Sequence, residues 1–260
     1  MSRKVIEPAH EQILEYCSRD PLERVFLEDV ARRGHGRFVA LREDDGLQAL
    51  CHLGTNVVPS GAGCGAFADV AARAGARMLI GEEGAVTDLW DKARPKMPRP
   101  REDRRGQPVY AMTEPPERGG TGLRPAGPRD LELLVPACAA AHLEELGVDP
   151  LERDPDGFRW RTRVQIEEGR SWVWQEEGVI LFKAEASAWT PAAVQLQQVW
   201  TDPPVRGQGY ASRGLRDLIR LLLERTPAVC LFVRVENLPA IRLYETVGME
   251  RVLSYRSVLL

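Results

Sequence analysis

Apolar and polar positions alternate from Val194, with Val194 and Leu196 set against Gln195 and Gln197, which is the two-residue period of a half-buried strand. The parity breaks at Val199, apolar out of phase with Leu196, so the pattern predicts an extra residue bulging the strand near Gln198. Asp202, Pro203 and Pro204 end the strand, because consecutive prolines cannot donate to a ladder. Leu215, Leu218, Ile219, Leu222 and Leu223 then mark one face of a helix starting at about Ala211, with Arg213, Arg216, Asp217 and Arg220 on the wet side. A buried strand over 229–233 follows. After it comes a helix carrying Pro239, Ala240, Ile241, Leu243 and Tyr244, capped by Asn237 and ended by Gly248, and a last strand over 249–258.

Upstream, residues 122–126 read as a short strand, and Leu131, Leu134, Val135, Cys138 and His142 as a helix stripe. Residues 158–166 predict a second helix, and 171–174 with 179–185 two strands joined through Glu177 and Gly178. The N-terminal half repeats this order in weaker form. A hairpin over 37–42 and 47–55 turns at Asp44, Asp45 and Gly46. A helix through Phe67, Val70, Ala71 and Ala74, a strand over 78–80, a helix through Val86, Leu89, Trp90 and Ala93, and a strand over 108–112 complete it. Two domains, 1–120 and 121–260, related by duplication, are expected.

Composition narrows the classes. The 35 basic and 38 acidic residues divide as 18 and 19 through Gly120 and 17 and 19 beyond it, so neither half is a polycation and no nucleic-acid partner is expected. With no long apolar run and no signal-peptide layout, the chain reads as cytoplasmic and without a membrane partner. Five scattered cysteines without a C-x-x-C pair predict neither a disulfide frame nor a metal site, but free buried thiols.

The chemistry concentrates between the bulged strand and the helix that follows. Gly207 and Gly209 let the backbone turn, and the helix behind them aims unpaired N–H groups and its positive dipole end at whatever anion sits there, beside the Arg206 cation. No Lys-Ser/Thr pair closes the loop, so it is not a Walker loop, and the third glycine of a dinucleotide fingerprint is replaced by Ser212. Arg206, Gly209 and Ala211 fit the Q/R-x-x-G-x-G/A signature of the GNAT acetyltransferase superfamily. Asn237, Ala240, Tyr244 and Gly248 fit its second signature. Over about the last 140 residues the chain resembles that superfamily, and the first half resembles a degenerate copy. There Ser60 to Gly65 lacks the Arg or Gln, and Trp90 stands where a tyrosine is wanted.

The resemblance implies an α/β (α+β) fold of two GNAT-like domains, each a mixed, mostly antiparallel twisted sheet flanked by helices, with a splayed central strand in the C-terminal one. It implies an N-acyltransferase using acetyl-CoA as co-substrate and no metal. The acceptor would be a small-molecule or protein amine, which must lose a proton before it attacks. The pantetheine arm would meet Val199, Trp200 and Thr201, the diphosphate Arg206, Gly207, Gln208, Gly209, Tyr210, Ala211 and Ser212, with Asn237 and Tyr244 nearby. Tyr244 would protonate the leaving thiolate, Glu185 would act as base, and a main-chain N–H freed at Val199 would polarise the thioester carbonyl. His142, Glu144 and Glu145 would contact the acceptor. A protein that binds or senses acyl-CoA without turnover is the alternative, and a purely structural partner a third reading. The first domain is expected to be catalytically silent.

Overall fold

The structure, a computed structural model, describes residues 3–44 and 46–260; Asp45, expected in the first hairpin turn, lies outside them. The N-terminal half runs β1 (Lys4–Ile6), α1 (His10–Ser18), α2 (Val25–Arg32), β2 (Arg37–Glu43), β3 (Gly46–Leu53), β4 (Asn56–Gly61), α3 (Ala68–Ala72), β5 (Met78–Glu82), α4 (Glu83–Ala93) and β6 (Glu102–Met112). The C-terminal half runs β7 (Arg124–Pro125), α5 (Leu131–Leu146), α6 (Pro150–Arg153), α7 (Pro155–Glu167), β8 (Ser171–Glu176), β9 (Val179–Trp189), β10 (Val194–Thr201), α8 (Tyr210–Leu223), β11 (Val229–Phe232), α9 (Leu238–Val247) and β12 (Glu250–Leu259).

One mixed sheet joins both halves in the order β1-β2-β3-β4-β5-β12-β6-β11-β10-β9-β8-β7. Its pairs are antiparallel except β4 with β5 and β10 with β11, so the same arrangement is met from either edge. The halves exchange their last strands: β12 closes the N-terminal set against β5, β6 closes the C-terminal set against β11, and β12 and β6 pair with each other in the middle. One strand arrangement is thus repeated in the two halves of the sheet, as the element order predicted.

Helices cover both faces. The leucine stripe of α8 buries Leu215, Leu218, Ile219 and Leu222 with Leu196, Phe182, Leu231 and Tyr244. The opposite face of that half packs α5 and α7 over Val173, Ile180 and Trp200. Helix α2 reaches from the first half onto the second, where Val25 packs with Ala188, Ala193, Ala228 and Cys230, and Arg170 clamps Asp29 at 2.6 and 3.2 Å. The sequence pattern passed over β1, α1, α2, β4 and α6.

The five cysteines are free and buried, Cys64 included. Among the described residues no helix is long and apolar enough to cross a membrane, and no cluster of His, Cys, Asp or Glu has the makings of a metal site.

Candidate active site

Strand β10 carries the predicted bulge. Gln197 pairs with Glu185 and Trp200 with Lys183, so Gln198 and Val199 together oppose Ala184 alone, and Gln198 takes a left-handed φ of 49°. On its other side β10 meets β11 only at Val194–Val229 and Gln195–Cys230. Beyond that point the two parallel strands part, and a cleft of about 980 Å³ opens through the gap.

Side-chain parity gives the cleft two sides. Leu196, Leu231 and Tyr244 belong to the α8/α9 face. Gln195, Gln197 and Phe232 alternate onto the α5/α2 face, which His142 and Glu145 of α5 and Phe26 of α2 enclose. On that side the floor continues into the exchanged strands through Gln107, Tyr255 and Ser257, and then to Val58 and Ile80 of the first half. The rings of Phe232 and Tyr255 lie 5.3 Å apart where the halves join.

Helix α9 delivers Tyr244. Asn237 caps it by accepting from Ala240 N at 3.3 Å, Pro239 stands in its first turn, and Gly248 ends it at φ 98°. The Tyr244 ring packs 5.8 Å from that of Tyr110, and its edge lines the cleft. Its hydroxyl has no hydrogen-bond partner among the described residues. Burial, with Glu145 adding to it, raises the phenol well above its ordinary range, so it keeps its proton at any working pH.

The glycine loop lies at the entrance. Gly207 and Gly209 have φ of 76° and 84°, and from Gly207 to Ser212 no backbone N–H makes a well-aligned hydrogen bond within the described protein. Six consecutive donors at a helix start, beside a guanidinium, form an anion seat. Two aromatic contacts fix its place. The Tyr210 ring lies 5.0 Å from Trp174, and Arg213 lies over the same indole. Gly214 lets α8 settle on β9, because a Cβ there would come 2.5 Å from the Phe182 ring. Arg206 Nε donates to Thr201 O at 2.9 Å, and its terminal nitrogen to Glu144 Oε1 at 2.7 Å. Glu144, which also accepts from Trp200 Nε1 at 3.3 Å, lines the cleft and so links loop and cavity.

The structure therefore gathers Val199, Trp200, Asn237 and Tyr244 along the cleft, with His142, Glu144 and Glu145 facing them. Residues 206–212 stand outside its lining, joined to it through Arg206 and Glu144. Thr201 is buried and contributes its carbonyl to Arg206; Gln208 donates to Pro204 O at 3.1 Å, and Ser212 Oγ to Gly209 O at 3.0 Å. Glu185 does not line the cleft: Oε1 accepts from Lys183 Nζ at 3.0 Å and from the Cys138 thiol at 3.1 Å, while Oε2 faces Gln197 Nε2 at 3.4 Å. Gln107, Tyr255 and Ser257 were not foreseen as part of the site, since no local pattern reveals that strands distant in the chain exchange.

Comparison with known proteins agrees with this geometry. Residues 138–249 match the family model described as Acetyltransferase (GNAT) family, and residues 36–134 match a domain of unknown function, DUF4081. A mycothiol acetyltransferase of Brachybacterium faecium is 27% identical over 146 residues, which is 45% of this chain and 44% of that protein, so the chain matches less than half the length of this curated relative. A GCN5-related N-acetyltransferase from Sphaerobacter thermophilus superposes with a TM-score of 0.61 at 17% identity, covering 98% of this chain and 94% of its own. A tandem GNAT protein from the clavulanic acid biosynthesis pathway does so with a TM-score of 0.56 at 10% identity, covering 99% and 98%. Residues 138–249 thus match the GNAT acetyltransferase family behind a DUF4081 match at 36–134, and the fold of the chain is similar to that of a tandem GNAT protein.

Proposed function

We propose that the protein is an acyl-CoA dependent N-acyltransferase, with acetyl-CoA as donor and an amine as acceptor, and that residues 121–260 carry the activity. The observation that supports this most is the pairing of a parted β10–β11 junction with a row of unsatisfied N–H groups at 207–212, with Tyr244 on the cleft between them. The residues fit the group. The N–H row and Arg206 would hold the diphosphate, and the bulged main chain at 198–199 would take the amide-bearing arm. Bound there, the thioester supplies an activated acyl group.

Each residue then has a task. The main chain at Val199 polarises the acyl carbonyl. Tyr244 holds, on its hydroxyl, the proton that the departing sulfur takes up. Removing the acceptor's proton falls to groups that face the cleft. His142, whose pKa burial lowers, is neutral near pH 7 and free to accept it, with Glu145 beside it. Glu185, expected from the sequence to be the base, we assign to holding Lys183 and Gln197. The first half, residues 1–120, is silent and lends its strand β6, with helix α2, to the acceptor side.

The test is acetyl-CoA turnover over a panel of small amines and lysine peptides, with Tyr244→Phe as control. Amine-dependent release of coenzyme A, lost in the variant, is the expected result. Tight coenzyme A binding without turnover on any amine would favour a sensor.

A further inference from the structure

Lys183 is fully buried, yet each of its three ammonium protons has a partner: Glu185 Oε1 at 3.0 Å, Cys138 Sγ at 3.1 Å and Gln198 Oε1 at 2.7 Å. A buried ammonium is costly, and replacing such pairs by apolar side chains is often neutral for stability, so stability alone is a weak reason for this one. Its shortest contact points elsewhere. Gln198 is the bulge residue, one of two non-glycine residues with positive φ among those described, at 49°. The other, Glu177, sits in a hairpin turn beside Gly178, where a left-handed residue is ordinary. Gln198 has no such excuse, and a strained backbone persists only where its surroundings hold it.

The ladder explains how it is held. Lys183 and Glu185 are two residues apart on β9 and project to the same face, opposite Trp200 and Gln197 of β10. The extra residue of β10 falls between those two pairs, opposite Ala184, and the Gln198 side chain reaches the ammonium. Burial is the largest influence and works against the Lys183 charge, but Glu185 and Cys138 together outweigh it and keep the group above the ordinary lysine range. The Cys138 thiol, pushed up to about 12 by burial, stays neutral and accepts one of the protons.

We propose that Lys183 is a positioning residue: aimed by Glu185 and Cys138, its ammonium grips the Gln198 amide and keeps β10 bulged, so that the main chain at 198–199 stays turned to the cleft. This rests on the reading of the cleft as the seat of an acyl-CoA arm. It assigns the bulge a cause in one buried side chain, and it separates the arm's recognition from that of the diphosphate, which the 206–212 loop supplies.

The experiment is calorimetry on the full chain with two probes: coenzyme A, and its nucleotide portion alone, 3′-phosphorylated ADP. Gln198→Ala keeps the strained φ and loses the tether. It should weaken coenzyme A binding about tenfold and leave the nucleotide within about twofold. Lys183→Met with Glu185→Gln, which removes both charges so that neither is orphaned, should do the same. Glycine adopts φ 49° without strain, so Gln198→Gly should bind coenzyme A within about threefold of wild type, and adding it to the Lys183→Met, Glu185→Gln chain should restore that affinity. Coenzyme A affinity unchanged in Gln198→Ala, equal losses for both probes, or no rescue by glycine would each overturn the proposal. Wild type taking up neither probe would instead sink the cofactor reading beneath it, and the proposal with it.

Discussion

Arg256 of β12 grips Asp103 of β6 with two parallel hydrogen bonds, Nε to Oδ1 and a terminal nitrogen to Oδ2, both 2.8 Å. The pair lies where the two halves exchange strands, and the remaining terminal nitrogen donates to Thr87 of α4 at 2.9 Å. Arg256 is fully buried, whereas the Asp103 side chain is 31% exposed. The two partners are therefore not equivalent. Asp103→Ala strands a buried guanidinium and should cost about 3–5 kcal/mol, while Arg256→Met leaves a carboxylate that water reaches and should cost clearly less. Urea unfolding of both variants checks the order, and equal losses would contradict it. The pair also sets a pH dependence. The Arg256 hydrogen bonds hold the Asp103 carboxyl below its ordinary value, so its stabilisation is present above the unfolded pKa of about 3.9 and fades as pH falls through the lower folded one. Asp103→Asn should flatten that acid limb.

What the sequence made legible was local. The parity break at Val199, the leucine stripe of α8, the cap at Asn237 and the stop at Gly248 are written in neighbouring residues, and the structure has each in place. The exchange of β6 and β12 was not legible, because strand order depends on partners more than a hundred residues apart. Nor was the burial of Lys183: in Phe-Lys-Ala-Glu it looks like a wet position, and only α5, lying across that face with Cys138, makes it dry. Helix α2 escaped because Glu28 and Asp29, buried by their pairing with Arg32 and Arg170, break the apolar stripe.

Tyr244→Phe removes one hydroxyl that bonds to no described protein group and leaves the ring packed on Tyr110. Folding stability should hardly change. If the phenol supplies the leaving group's proton, kcat should fall roughly 10²–10⁴-fold while the dissociation constant of coenzyme A stays put. Because burial lifts its pKa, the wild-type rate should show no descending alkaline limb from this group below about pH 10. Steady-state kinetics beside a thermal melt separate these effects. A variant with normal kcat would remove Tyr244 from the chemistry.

The contact between Arg206 and Glu144 predicts a variant that binds better. In this structure a carboxylate occupies the guanidinium at 2.7 Å, and both side chains are nearly half exposed. A diphosphate arriving at the loop must displace Glu144 and meets its charge as well. Glu144→Gln keeps an acceptor for Trp200 Nε1 and loses the competition, so coenzyme A should bind about two- to fivefold more tightly, with little change in melting temperature. Arg206→Ala should act oppositely, weakening coenzyme A about tenfold. Titration calorimetry at two salt concentrations reads both, and the gain from Glu144→Gln should shrink at high salt. Weaker binding in that variant would place Glu144 among the ligand's partners.

The first half should take up no second nucleotide, although its loop also has glycines in left-handed conformations, Gly61 at φ 88° and Gly63 at φ 83°. Two of its own side chains fill that seat. Asp88 of α4 accepts from Gly65 N at 2.9 Å, which sets a carboxylate against the N–H that a phosphate would claim. The Tyr16 hydroxyl reaches Ser60 O at 3.2 Å and stands 2.2 Å from where a Cβ on Gly61 would lie, so the backbone there has no room for a visitor. The helix behind the loop is also short: a single 3-10 turn, Cys64–Phe67, followed by the five residues of α3, against the fourteen of α8. Coenzyme A should therefore bind with a stoichiometry of one per chain. Asp88→Ala alone should not raise it, because Tyr16 remains, and should instead lower stability by about 1–3 kcal/mol through the unsatisfied Gly65 N–H. A stoichiometry of two in the wild-type chain would mean that the carboxylate yields to a phosphate and that the first half is not silent.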